Sequence, residues 1–385
     1  MDALLNFQMC GKLLMGIGAS NELPDLLRRL GKTRPFLVTD KGIVQAGIFA
    51  RIQGILEKAG LRAASFDRVE PDPSIETVAA CLDAVRAASP DVLIGLGGGS
   101  SLDVAKVVSV LLTNGGDVSD YVGIDKIPMP GMDTVLIPTT AGTGSEVTPI
   151  AVLSDTREHL KKGIVSDRLY ARAALVDPEL TLSLPPRVTA YTGMDALTHA
   201  IEAFTNRHAH PFIDVFALES IRLIGQNLRT AVHNGADIRP RYNMSLASLF
   251  GGLCLGSVNT AGTHALAYPL GGTFGVPHGV ANSLLLPYVM EFNLPADPAR
   301  FSQIAVALGQ DVGGLSPAEA AARSVRAVVK LSADIGIVSR MRDLGVPADA
   351  IDDMAAAALK VTRLLNNNPR TITLEDAKRI YRSAY

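Results

Sequence analysis

Asp91-Val-Leu-Ile-Gly-Leu-Gly-Gly-Gly-Ser-Ser-Leu-Asp103 sets a short apolar run against a glycine-rich turn, and the turn against a polar start of helix. A run of this length suits a buried strand. The glycines let bare backbone approach a ligand, while the following helix offers its first unpaired N–H groups. The turn nearly matches G-x-G-x-x-G, with Ser100 at the last glycine position, and lacks the Lys-Ser/Thr ending of a P-loop. On these residues alone, a structural turn and a diphosphate cradle both remain open.

Working outward, Pro35-Phe-Leu-Val-Thr-Asp40 reads as a buried strand, residues 43 to 59 as a helix and Arg62-Ala-Ala-Ser-Phe66 as a weaker strand. A helix starts near Ser74, another at Ser101, and Thr134-Val-Leu-Ile137 is a further strand. Strands and helices alternating with short connections predict an α/β domain, a parallel sheet covered on both faces, with ligands at the carboxyl ends of its strands. Pro138-Thr-Thr-Ala-Gly-Thr-Gly-Ser-Glu146 gives a second such end four hydroxyls and two glycines. Two polar, glycine-bearing loops in one sheet favour a dinucleotide. Asp40 closes the first clear strand, where it can bond an adenosine ribose and repel a 2′-phosphate, favouring NAD, or cap the next helix.

The 385 residues are 48% hydrophobic and 19% charged, with a net charge of −2, so nothing points to nucleic acid or an anionic membrane as partner. Three distant cysteines, Cys10, Cys81 and Cys254, make neither a disulfide framework nor a metal knuckle. The N-terminal residues lack a basic signal-peptide region, and no apolar run reaches the ~20 residues of a membrane span. A soluble, cytoplasmic protein is expected.

From Asp177 the texture changes. Asp177-Pro-Glu-Leu-Thr-Leu-Ser-Leu-Pro-Pro186 looks like the crossing into a second domain, and beyond it helical patterns cover 188–206, 211–230, 237–257, 297–308 and 316–335. The expected division is 1–186 for the α/β domain and 187–385 for an all-α domain. Thr373 and Asp376 can form a capping box for a last helix.

Within Thr192-Gly-Met-Asp-Ala-Leu-Thr-His-Ala-Ile-Glu-Ala-Phe204, read as a helix opened by Thr192, Asp195 and His199 stand four residues apart on one face. The pair suits a Zn²⁺- or Fe²⁺-type ion, although a solvated Asp/His pair is the commoner case. Residues 242–290 contain no Asp, Glu, Lys or Arg and should be largely buried; Pro269, Pro277 and Pro287 should interrupt any long helix there. In this stretch lie His264 and His278. One such histidine is usually a hydrogen-bonded core residue, but together with Asp195 and His199 the two would complete a site of one carboxylate and three imidazoles. His159, His208, His210 and His233 read as solvated.

These motifs resemble the iron-containing (group III) alcohol dehydrogenases over nearly the whole chain. The likeness rests on Gly97-Gly-Gly-Ser-Ser-Leu-Asp103 with Lys106, Pro138 to Glu146, Gly193-Met-Asp-Ala-Leu-Thr-His199, Gly262-Thr-His-Ala-Leu-Ala-Tyr-Pro-Leu-Gly271, Pro277-His-Gly279 and Asn368-Pro-Arg370. It implies a Rossmann-like NAD domain followed by a helical catalytic domain, the two-domain architecture of dehydroquinate synthase, with metal and nicotinamide in the cleft. It carries the metal-ligand role onto Asp195, His199, His264 and His278. NAD contacts pass to Asp40, Gly98, Gly99, Ser100, Asp103, Thr139, Thr140 and Ser145, with Lys162 as a further one. The resemblance favours Fe²⁺, while the ligand chemistry alone also permits Zn²⁺.

Family members often carry a second histidine near the nicotinamide, four residues after the third ligand; here Tyr268 stands there. It should face the active site, one turn from His264. An ordinary phenol, with a pKa near ~10 against ~6.5 for imidazole, accepts protons poorly at neutral pH. A branch resembling hydroxyacid-oxoacid transhydrogenases also has tyrosine at this position.

The expected chemistry is reversible hydride transfer between a small alcohol, or its aldehyde or ketone, and NAD, with the metal polarising the substrate oxygen. Leu253, Leu255 and Phe274 would keep water out. A hydroxyacid dehydrogenase or transhydrogenase is the alternative within the family, and a non-catalytic nucleotide-binding protein the alternative outside it. A dehydroquinate-synthase-like lyase would need basic residues for a phosphate ester, and 242–290 supply none. The expected assembly is a homodimer or higher homo-oligomer.

Overall fold

The computed structural model describes residues 4–157 and 160–385; His159 lies outside them. One compact unit comprises residues 8–140 and 144–183. Its strands are β1 (Leu13–Met15), β2 (Pro35–Val38), β3 (Ala64–Phe66), β4 (Val92–Gly97), β5 (Gly123–Ile124), β6 (Thr134–Pro138), β7 (Ile150–Asp155), β8 (Leu160–Val165) and β9 (Ala173–Val176). Its helices are α1 (Leu23–Arg29), α2 (Lys41–Gln45), α3 (Ile48–Lys58), α4 (Ile75–Ala88) and α5 (Gly99–Asn114). Six strands form a parallel sheet in the order β1-β9-β6-β4-β2-β3. The chain leaves β2 for β3 on one side and returns to β4 on the other, so the topological switch falls between β2 and β4. Their carboxyl ends carry Asp40 and the Gly97-Gly-Gly99 turn.

The central strands β2, β4 and β6 are buried throughout, as a parallel sheet covered on both faces requires. The helix expected over 43–59 is instead two helices, α2 and α3, because Gly47 takes φ 77° between them. A separate small sheet, β5-β8-β7, includes an antiparallel hairpin of β7 and β8. It was not foreseen.

The other unit comprises residues 4–7, 141–143 and 184–385 of the described chain, and these residues hold helices and no strand. These are α6 (Pro186–Thr205), α7 (Pro211–His233), α8 (Ile238–Leu255), α9 (Gly262–Phe274), α10 (His278–Asn293), α11 (Pro298–Ala307), α12 (Pro317–Asp334), α13 (Ile351–Ala358), α14 (Thr362–Leu365) and α15 (Leu374–Ala384). Compared with a single cut after residue 186, residues 4–7 and 141–143 join the helices. Local packing explains both: Phe7 stacks on Phe216 at 6.0 Å, and a Cβ on Gly142 would meet Thr192 Cβ at 2.7 Å.

Thr192 does not open its helix. Pro186 does, as first-turn prolines do, and the Thr192 hydroxyl donates to Val188 O at 2.9 Å from the helix interior. Pro269 and Pro287 lie inside α9 and α10 without ending them, whereas Pro277 directly precedes α10. The Thr373/Asp376 capping box is present. The three cysteines are buried thiols; burial pushes Cys10 up to about 11 and Cys81 to about 12. No helix among the described residues is long and apolar enough to cross a membrane.

Candidate metal and dinucleotide sites

Three helices bring the expected metal ligands together. Asp195 and His199 leave one face of α6, His264 sits in the first turn of α9, and His278 is the first residue of α10. Gly279 makes the last placement possible, since a Cβ there would lie 2.9 Å from Tyr191 O on α6. His199 Nε2 is 3.9 Å from Asp195 Oδ2, while His264 Nε2 and His278 Nε2 are 3.8 and 3.7 Å from Asp195 Oδ1. Asp195, His199 and His264 form the tightest group, with one donor atom each inside a 4.8 Å span, and all three are buried. His278 flanks them with its side chain 32% exposed.

None of the three imidazole contacts is short enough for a hydrogen bond. His264 Nε2 and His199 Nδ1 are buried with no hydrogen-bond partner among the described residues, an arrangement that costs free energy unless something else satisfies them. Burial, helped by His199 and His278, holds His264 well below the ordinary imidazole value, so the ring is neutral at pH 7. Burial would push the Asp195 carboxyl up, but the imidazoles and the Asn282 amide outweigh it and bring it to about 2. An ionised, buried carboxylate beside a neutral imidazole with a bare ring nitrogen fits a divalent cation of the Zn²⁺ or Fe²⁺ kind.

Two neighbours escaped the sequence reading. Asn282, one turn after His278, places its amide nitrogen 2.7 Å from Asp195 Oδ1 and 3.0 Å from His278 Nε2. Glu202, one turn after His199, takes His264 Nδ1 at 2.6 Å. Their signal was helical spacing from a ligand: polar residues at i+4 and i+3 in otherwise apolar faces. Tyr268 stands beside His278, ring centroids 6.5 Å apart.

At the switch point, Asp40 performs the capping role, its Oδ1 accepting the Ile43 N–H at 3.0 Å. Its Oδ2 accepts the Ser101 hydroxyl at 3.3 Å and faces Gly97, where a Cβ would come within 3.1 Å of it and 2.7 Å of Ser101 Oγ. Gly97 also holds φ +152°, so the turn has two reasons for glycine there. Gly98 precedes α5 as its cap and borders Thr140, and Thr139 N bonds Gly97 O at 2.9 Å, which joins the two loops. The Thr139 hydroxyl is buried with no partner among the described residues. Ser100 Oγ accepts the Asp72 N–H at 3.3 Å. Asp103 and Ser145 bond each other at 2.6 Å, and Asp103 also takes the Val152 N–H at 2.9 Å, so both brace the sheet. Lys162 lies on β8, 3.9 Å from Asp155.

Two family models cover almost the entire chain: iron-containing alcohol dehydrogenase over residues 10–178, and the C-terminal domain of the Fe-containing alcohol dehydrogenase family over 189–385. The chain belongs to the iron-containing alcohol dehydrogenases. It is 40% identical to long-chain-alcohol dehydrogenase 1 of Geobacillus thermodenitrificans, covering 96% of this chain and 94% of that one. A crystal structure of 1,3-propanediol oxidoreductase matches with TM-score 0.97 and 38% identity over 100% of both chains. The sulfoacetaldehyde reductase from Bifidobacterium kashiwanohense, solved with NAD⁺, matches with TM-score 0.89 and 31% identity over 100% of this chain and 99% of that one. As a member of this family the chain is an oxidoreductase with a two-domain fold.

In this iron-containing alcohol dehydrogenase the second loop also buries an acid. Burial pushes Glu146 up to about 7, against its own backbone N–H and the Lys106 ammonium. Since the folded value exceeds the ordinary 4.5, the folded chain keeps the proton longer, and Glu146 costs stability progressively as pH rises from 4.5 to about 7. Glu146→Gln should raise Tm more at pH 8 than at pH 5; equal shifts at both would contradict this.

Proposed function

We propose that the enzyme interconverts a small alcohol and its aldehyde or ketone with NAD, using one divalent metal held by Asp195, His199, His264 and His278. The observation that carries this reading is the bare, buried Nε2 of neutral His264 facing an ionised Asp195. When bound, the ion supplies Lewis-acid polarisation of the substrate oxygen. Asp195 contributes the negative charge that holds the cation, and the three imidazoles contribute neutral donors that leave it electrophilic. The Gly97-Gly-Gly99 turn and the α5 N-terminus suit the diphosphate, with Gly98, Gly99, Ser100, Thr139 and Thr140 as contacts and Asp40 toward the ribose. Asp103 and Ser145 hold this loop system in shape, and Lys162 is a further cofactor contact. The charge-free walls around Leu253, Leu255 and Phe274 suit an uncharged substrate. Fe²⁺ is the ion that the family favours, and the same donors accept Zn²⁺.

Three buried free thiols support a reducing, cytoplasmic setting. A homodimer or higher homo-oligomer rests on the resemblance and is read by light scattering. Chelation is expected to abolish oxidation of short alcohols with NAD, and Fe²⁺ or Zn²⁺ to restore it. Turnover by protein shown to be metal-free would end this mechanism. A panel of primary alcohols, diols and 2-, 3- and 4-hydroxy acids, with elemental analysis of the purified protein, reads substrate and ion together. Tyr268 beside His278 favours one second reading, a transhydrogenase between hydroxy and oxo acids. Tightly retained NAD with no release of NADH would select it.

A further inference from the structure

Glu202 is 4% exposed, and two backbone N–H groups and one imidazole nitrogen surround its carboxylate. Oε2 takes the Ala261 N–H at 2.9 Å and lies 2.6 Å from His264 Nδ1, while Oε1 takes the Thr263 N–H at 2.5 Å. Ala261 is the N-cap of α9 and has no side chain able to cap it, so a carboxylate reaching over from α6 satisfies the orphan N–H groups of that helix. Asp195, His199 and Glu202 follow one another at i, i+4 and i+7, which lines them along one stripe of α6. The carboxylate that starts α9 therefore hangs from the same helix face as two of the ligands. The opposite side of the α9 start is equally tight, since a Cβ on Gly262 would meet Asn368 Oδ1 at 2.6 Å.

The two neutral tautomers of His264 are not equivalent in this setting. A proton on Nε2 would leave a buried donor 3.8 Å from Asp195 Oδ1, its nearest carboxylate oxygen and beyond hydrogen-bond reach. A proton on Nδ1 is met by Glu202 and turns the Nε2 lone pair toward Asp195.

We propose that Glu202 is a positioning residue of the metal centre: it fixes His264 as the Nδ1–H tautomer and pins the start of α9, setting the Nε2 lone pair at the ligand position. This rests on the metal reading above. Partners of this kind orient the ring and raise its basicity as a ligand.

The test is competition of Zn²⁺ between a chelator and the full-length protein, wild type against Glu202→Gln. The glutamine keeps the shape but presents an N–H₂ group to a ring of donors. Zn²⁺ affinity is expected to fall about 10- to 100-fold, with NAD affinity unchanged and the d–d spectrum of the Co²⁺-loaded variant altered. A purely structural cap would lower the Tm of metal-free protein and leave Zn²⁺ affinity within about threefold, which would overturn the proposal. Should the variant not fold, ¹⁵N spectra of Zn²⁺-loaded wild type decide: His264, assigned by its loss in His264→Ala, must show its proton on Nδ1, and a proton on Nε2 overturns the proposal. Zn²⁺ binding that is untouched by His264→Ala refutes the metal reading itself. Binding that needs His264 but ignores Glu202→Gln refutes only the role of Glu202.

Discussion

His264→Ala is expected to lower NAD-linked alcohol turnover about a thousandfold or more, with NAD binding and overall fold retained. A Lewis-acid metal contributes several kcal/mol to such a reaction, and each 1.36 kcal/mol is a factor of ten. Like His199 Nδ1, His264 Nε2 is buried without a hydrogen-bond partner among the described residues, and it is the one of the two that lies 3.8 Å from Asp195 Oδ1, so no hydrogen bond competes with a ligand role for it. Its loss should empty the site more completely than His278→Ala, because the His278 ring is partly solvated and already lies against the Asn282 amide. Asp195→Asn removes the one formal negative charge of the ligand set and should match His264→Ala. The alanine at 264 also empties a ring-sized space stacked 4.9 Å from His199, so Tm should drop as well. Turnover, metal content and Tm must therefore be read on the same preparations. A variant that keeps full metal and full activity would refute the site, whereas lost activity with retained metal would move His264 from ligand to some other role.

The legible part of this protein was the part written in local chemistry or in composition. The glycine turn announced its strand and helix because the whole strand and the start of the helix lie within thirteen consecutive residues. His264 and His278 stood out as two histidines in a segment with no charge over 242–290, set against an Asp/His pair in need of partners, and the fold brings both rings within 3.8 Å of Asp195. What stayed hidden depends on partners distant in sequence. β1 is three residues long and exists by pairing Leu13 with Ala174 and Met15 with Val176, which no local pattern encodes. The β7–β8 hairpin carries Lys161 and Lys162 in a small sheet, where alternation is blunted and pairing sets the register. Glu202 was in view within His199-Ala-Ile-Glu202, yet a glutamate on a helix reads as a solvated face until α9 is seen starting on it. Asp103 and Ser145, which the resemblance gives as cofactor contacts, also bond each other at 2.6 Å, a link between residues 42 apart that no local pattern encodes.

Asp40→Gly is expected to raise the ratio of kcat/KM with NADP to that with NAD by about two orders of magnitude. Asp40 closes β2 at the switch point, with Oδ2 turned toward the Gly97 turn, where a ribose would lie if the diphosphate sits on the α5 N-terminus. Hydrogen bonds to a charged group are worth about 1.5–3 kcal/mol, so losing them weakens NAD about 10- to 100-fold, while removal of the carboxylate also lifts the repulsion of a 2′-phosphate. The difficulty is that Asp40 also caps α2, and a lost cap could pass for a lost cofactor contact. Glycine is chosen because at an N-cap it costs only a few tenths of a kcal/mol, whereas alanine costs about 1. The substitution Asp40→Asn supplies the complementary control: asparagine caps as well as aspartate but carries no charge. If the carboxylate selects the cofactor, both variants shift toward NADP and Asp40→Asn does so with Tm unchanged. If Asp40 is only a cap, neither changes the NADP/NAD ratio, and the ribose role falls even where stability moves.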